Sequence, residues 1–186
     1  MKHEDIVAYI ETKKEYLDKT DFEMLSKILE RMHVNEKKKL EEIKEKGDLE
    51  FRKGNYKEAC ELYTSYLAIN KENHIIWSNR SAAYHKMAMT EESIEDCKEG
   101  LRLKPTFAKF YLRLGVLSRD TDIASAISYF ERGLEVDPQH EVMREVLEEA
   151  KQKEKEATIP ANVSEENLHP QAGELPNNSL KSKEEL

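Results

Sequence analysis

An all-α array of three helical hairpins is the fold this sequence predicts, and two observations predict it. The first is a self-similarity with a period of 34: Ile43, Trp77 and Tyr111 recur at that spacing, and so do Gly47, Ser81 and Gly115 four residues later. The second is a further set of small, bulky and leucine positions, at Ala59, Ser93 and Ala126, at Tyr63, Cys97 and Phe130, and at Leu67, Leu101 and Leu134. Their second interval is 33, so the third unit has lost one residue around Asp120 to Ile123. A small residue lets two helices approach closely, and bulky ones fill the space between them. One hairpin cannot cover its own apolar face, so the units must stack.

The units are expected at 40–73, 74–107 and 108–140, with first helices at 40–53, 74–87 and 108–119 and second helices at 56–69, 90–103 and 123–136. Gly54-Asn55 supplies the first hairpin turn. Met87-Ala-Met89 stands in its place in the second, which predicts a longer first helix there. Pro105 and Pro138 close the second and third units, where the first has Lys71. This is the tetratricopeptide (TPR) pattern, and by resemblance to it the hairpins stack into a superhelix with the first helices on the concave side.

Residues 1–36 carry two apolar stripes, Ile6, Ile10 and Leu17, then Phe22, Leu25, Leu29 and Met32. Thr20 and Glu23 read as a capping box between them, so two short helices are expected, packed on the first repeat to shield its outer edge. Dimerisation or partner docking is the alternative role. After Pro138, residues 141–156 place Val142, Val146 and Ala150 on one side of a capping helix, with Met143 and Leu147 adjacent to them. Residues 157–186 shift to Pro, Asn, Ser, Glu and Lys and are expected to be disordered.

Composition limits the function. The chain of 186 residues has 30 basic and 38 acidic side chains, a net charge of -8, which disfavours nucleic acid or anionic membrane as the main ligand. No apolar run approaches membrane-spanning length and no leader follows Met1, so a cytoplasmic location is expected. Cys60 and Cys97 have no metal-type spacing and read as reduced packing thiols. The six histidines are scattered, and no phosphate loop or nucleophile elbow is present. Neither an enzyme, nor a metal, nor a cofactor is expected. The sequons at Asn162 and Asn177, and the Lys-Glu-Glu-Leu ending, are attributed to chance.

The candidate site lies on the first helices. Lys44 and Asp48 share a face of one, Lys109 and Arg113 share a face of another, and Asn79 stands on the helix between. Lysine offers a point charge, arginine a planar fork and asparagine a neutral donor, a set suited to a peptide carboxylate. The segments Ile43-Lys-Glu-Lys-Gly-Asp48, Trp77-Ser-Asn-Arg-Ser-Ala-Ala-Tyr84 and Ala108-Lys-Phe-Tyr-Leu-Arg113 resemble the first helices of carboxylate-clamp TPR co-chaperones of the stress-inducible organising-protein type. That resemblance implies a clamp of Lys, Asn, Asn, Lys and Arg that holds the C-terminal Glu-Glu-Val-Asp carboxylates of the 70-kDa and 90-kDa heat-shock chaperones. Lys44, Asn79, Lys109 and Arg113 match it, and Asp48 stands where the family has Asn.

An ionised Asp only accepts hydrogen bonds and repels a ligand carboxylate, by about 4 kcal/mol for unit charges 4 Å apart at an effective dielectric near 20. Pairing of Asp48 with Lys44, a turn away from the groove, or a bridging ligand group would each offset this. Two functions follow. One is a co-chaperone adaptor that binds an acidic chaperone C-terminus; the other is a scaffold that reads a non-chaperone segment with no dependence on a free chain end.

Overall fold

Helices form where runs of good helix formers meet a capping residue, and they stop where glycine, asparagine or proline intervenes. The computed structural model describes residues 3–158. Among these, eight α helices follow in order: α1 (His3–Lys13), α2 (Lys19–Lys53), α3 (Tyr56–Ile69), α4 (His74–Lys86), α5 (Thr90–Leu103), α6 (Ala108–Ser118), α7 (Ile123–Val136) and α8 (Glu141–Thr158), with a 3₁₀ turn at Lys14–Tyr16. Of the segment expected to be disordered, 157–186, Ala157 and Thr158 instead continue α8 as its last two residues, and the rest lies outside the described residues.

Three antiparallel hairpins, α2–α3, α4–α5 and α6–α7, stack in chain order, with α8 against α7. Helices α2, α4 and α6 adjoin along one side of the stack. The core is a series of clusters at successive interfaces. Ala59, Tyr63, Tyr66, Leu67 and Ile76 join the first and second hairpins. Cys97, Phe110 and Leu114 join the second and third. Ala126 and Phe130 of α7 meet Met143, Leu147 and Ala150 of α8. Trp77 packs on both of the first two clusters, and its indole N–H donates to the Lys71 carbonyl at 2.7 Å. The position that lacks a proline thus serves as a hydrogen-bond acceptor for the next repeat.

The expected small positions do what close approach requires. A Cβ on Gly47 would sit 2.7 Å from the Tyr63 ring, and one on Gly115 would overlap Phe130. The shortened third hairpin turns at Asp122, whose side chain caps α7 by accepting from the Ser125 N–H at 3.0 Å.

Three expectations are corrected. The second N-terminal helix and the first helix of the first repeat are one helix, α2, of 35 residues. Between Met32 and Leu40 the sequence is Lys-rich with neither glycine nor proline, so nothing interrupts the hydrogen-bond ladder. At 1.5 Å per residue α2 is about 50 Å long, far longer than α3 can cover. Helix α1 lies against α2 and makes no extensive contact with α3, so the lead prolongs the array instead of folding over its first edge. Several apolar residues of this lead, among them Met24, Ile28 and Met32, stay exposed.

The start of α2 is also different: Asp18, not Thr20, is its N-cap, accepting from the Asp21 N–H at 2.8 Å. Finally, Met87-Ala-Met89 does not lengthen α4, which stops at Lys86. Ala88 takes φ 57°, and the Met89 N–H closes back on the Tyr84 carbonyl at 3.0 Å. An alanine in this left-handed region crowds its Cβ. Ala88→Gly is therefore expected to stabilise the fold by about 0.5–1 kcal/mol in urea titration; a loss of stability would show that Ala88 is unstrained.

Candidate functional site

The candidate groove lies on α2, α4 and α6, and hydrogen bonds tie Asp48 of α2 and Arg113 of α6 to α4. Asp48 projects from the last third of α2, one residue beyond Gly47, where α3 comes closest. Its Oδ1 accepts the Tyr63 hydroxyl at 2.7 Å and the Asn79 amide Nδ2 at 2.9 Å. Its Oδ2 lies 3.5 Å from the Lys44 ammonium, one turn back. Lys44 also donates to Glu41 at 3.0 Å, so one ammonium serves two carboxylates. The hydrogen bond to Glu41, and then the charges of Asp48 and Glu41, outweigh burial and raise the Lys44 pKa. Burial, reinforced by the Asp48 carboxylate, holds the Tyr63 phenol protonated well beyond its ordinary range.

On the other side of α4, Arg113 reaches from α6 into the helix interface. Its Nη1 donates to the Ser78 carbonyl at 2.9 Å and to Ser81 Oγ at 3.3 Å. Ser81 Oγ continues inward to Ser93 Oγ at 3.2 Å and Cys97 Sγ at 2.9 Å. Burial depresses the Arg113 pKa, though the guanidinium remains a cation at any ordinary pH. Lys109, one turn before it, is exposed. Its Nζ lies 5.9 Å from the Phe107 ring, and among the described residues it makes no ion pair.

The five sequence-derived positions thus fall into two groups. Lys44, Asp48 and Asn79 are brought into direct contact, and Lys109 and Arg113 stand beyond α4. Of the alternatives open for Asp48, the geometry realises pairing with Lys44, joined by two further donors.

Sequence reasoning missed the strongest polar element near the groove. Arg80, next to Asn79, makes a two-pronged bond to Asp96, Nε to Oδ2 and Nη2 to Oδ1, each at 2.8 Å. Its Nη1 donates to Thr64 at 2.9 Å, and its guanidinium stacks over Trp77 at 4.9 Å. This arrangement ties α4 to both α5 and α3. The signal was the hairpin offset: Arg80 and Asp96 are 16 residues apart, the same separation as Ser81 and Cys97.

Both cysteines are buried and unpaired. Burial pushes the Cys60 thiol up to about 11 and also raises Cys97, so neither is primed as a nucleophile near neutral pH. No helix among the described residues is long and apolar enough to cross a membrane.

Residues 75–107 match the family described as "Tetratricopeptide repeat". The chain is 36% identical over 112 residues to the Hsp70-Hsp90 organizing protein of Triticum aestivum, a match that takes in 60% of this chain and 19% of that protein. The chain therefore spans only about a fifth of that relative. Among solved structures, the first TPR of Spaghetti (RPAP3) bound to the HSP90 peptide SRMEEVD superposes with a TM-score of 0.61 at 27% identity, covering 63% of this chain and 94% of that one. The Sgt2 TPR domain from Aspergillus fumigatus superposes with a TM-score of 0.62 at 28% identity, covering 76% and 91%. With three stacked hairpins, a tetratricopeptide repeat match at residues 75–107 and these structural counterparts, the chain has the tetratricopeptide repeat fold.

Proposed function

We propose that the chain is a co-chaperone adaptor whose groove takes the acidic C-terminal peptide of a 70-kDa or 90-kDa heat-shock chaperone by its end carboxylate, without chemistry of its own. The observation that carries the reading is Lys109 and Arg113, two cations one turn apart on α6, beside a stack that resembles a TPR bound to the HSP90 peptide SRMEEVD. Likeness to an Hsp70-Hsp90 organizing protein supports the same ligand class. The reading places the adaptor in the cytoplasm, and its two buried, unpaired thiols suit a reducing compartment.

A second reading, a scaffold for a non-chaperone segment, is favoured by one feature: Lys44 and Asn79 are already bonded to Asp48. Calorimetric titration with SRMEEVD, free and C-terminally amidated, separates the two. Under the co-chaperone reading the free peptide binds, and amidation, Lys109→Ala and Arg113→Ala each weaken it at least tenfold. Equal binding of the free and amidated peptides would leave the scaffold reading in its place.

A further inference from the structure

We propose that Asp48 makes this groove selective for an acidic peptide that also carries a basic side chain within a few residues of its end. This inference rests on the co-chaperone reading and specifies its ligand. Its basis is a division of charge within the groove. At the α2 end, Glu41 and Asp48 share the single ammonium of Lys44, so these three groups carry one net negative charge. At the α6 end, Lys109 and Arg113 carry two positive charges. At the α2 end the Asn79 amide and the Tyr63 hydroxyl both donate to Asp48 Oδ1. Asp48 therefore takes the place of a ligand carboxylate, supplied by the chain itself.

The side chain remains open to a ligand. The Asp48 side chain is 26% exposed, and among the described residues its Oδ2 is paired only with Lys44, at the long distance of 3.5 Å. A carboxylate oxygen has room for a second donor, and a ligand Lys or Arg would supply one with a charge that Glu41 and Asp48 leave uncompensated. A ligand carboxylate there would meet two like charges instead. At the other end, Arg113 is anchored through Nη1 to Ser78 and Ser81 and also meets the Cys97 thiol, and the exposed Lys109 ammonium one turn before it adds the second positive charge that holds the anionic end.

The two ends are close enough for one short peptide. Asp48 is bonded to the Asn79 side chain and Arg113 to the carbonyl of the preceding residue, Ser78. Standard bond lengths then limit the Asp48-to-Arg113 separation to about 12 Å, three to four extended residues. A basic side chain within about four residues of the end carboxylate spans that distance.

The test uses SRMEEVD as the parent peptide. Each of the four residues before its last is replaced in turn by Lys, with a Gln counterpart at every position, and all are titrated against the native chain and Asp48→Asn. The Asn side chain keeps an oxygen for Tyr63, and matched thermal melts verify that the variant folds. At one or more positions the Lys peptide is expected to bind the native chain at least tenfold more tightly than its Gln partner, and Asp48→Asn is expected to reduce that ratio below threefold. The parent peptide is expected to bind Asp48→Asn at least tenfold more tightly than native. The inference is overturned if no position distinguishes Lys from Gln, or if the preference survives Asp48→Asn. In either case the co-chaperone reading stands as long as free peptides bind and amidated ones do not. Failure of every peptide to bind either protein would remove both.

Discussion

Asp96→Ala is expected to cost the fold about 3–5 kcal/mol, a large share of the stability of a domain this size. The side chains of Arg80 and Asp96 are only 13% and 5% exposed, and both prongs of their bond are short. Removing the carboxylate leaves a guanidinium buried between α3, α4 and α5 with one hydroxyl partner, Thr64, and the faces of Trp77 and Tyr84. Those groups stabilise a cation but do not neutralise it. Asp96 itself is held at some cost, because burial raises its carboxyl pKa against the pull of Arg80. The double substitution Arg80→Met with Asp96→Leu, which removes both charges, is accordingly expected to be much milder than Asp96→Ala alone. Urea midpoints at constant m-value measure both. A loss below about 1 kcal/mol for Asp96→Ala would mean that water reaches the guanidinium and that the pair does not pin α4. Because Arg80 adjoins Asn79, the same variant is also expected to weaken peptide binding.

What could be read in the sequence was what repeats. Columns that keep their character in all three units, such as Gly47, Ser81 and Gly115 or Leu67, Leu101 and Leu134, located the hairpins; the bounds expected for α3, α5 and α7 coincide with those in the structure. What could not be read occurs once. The join between the lead and the first repeat has no repeat partner, and only the absence of a helix breaker between Met32 and Leu40 marked it. The turn at Ala88 replaces a glycine with a residue that gives no turn signal, so only the backbone revealed it.

The candidate groove shows the same division. Four of its positions were located by phase, but the partners of Asp48 were not, because they depend on which rotamers meet across α2, α3 and α4. In the sequence Tyr63 reads as a bulky residue of the core or the groove wall. Its ring does fill the space beside Gly47, yet its hydroxyl ends on Asp48. A single side chain thus joins the core to the groove, and residue type alone does not separate those two roles.

Gly100→Ala is the other substitution with a large expected effect, and it follows from a column that changes size along the array. Tyr66, Gly100 and Gly133 are equivalent in the three second helices, and each faces a residue of the helix that follows: Ile76, Phe110 and Met143. Where the first member is large the second is shorter, and where the first is glycine the second is long, so each interface is filled in a different way. A Cβ on Gly100 would overlap the Phe110 ring, which is fully buried and has no open direction in which to move. Helix α6 must then shift away from α5, or Phe110 must leave its rotamer. Overpacking of this kind costs about 1–3 kcal/mol, and the upper end is expected here because the obstruction is a rigid ring. The shift has a functional consequence as well. Phe110 adjoins Lys109 on α6, so displacing that helix moves Lys109 and Arg113 relative to Asn79. Gly100→Ala is therefore expected to lower both the melting temperature and the affinity for a free-ended acidic peptide, and adding Phe110→Leu should recover part of each. Recovery of stability without recovery of affinity would show that the groove depends on where the Phe110 ring holds α6, not merely on the packing of that interface.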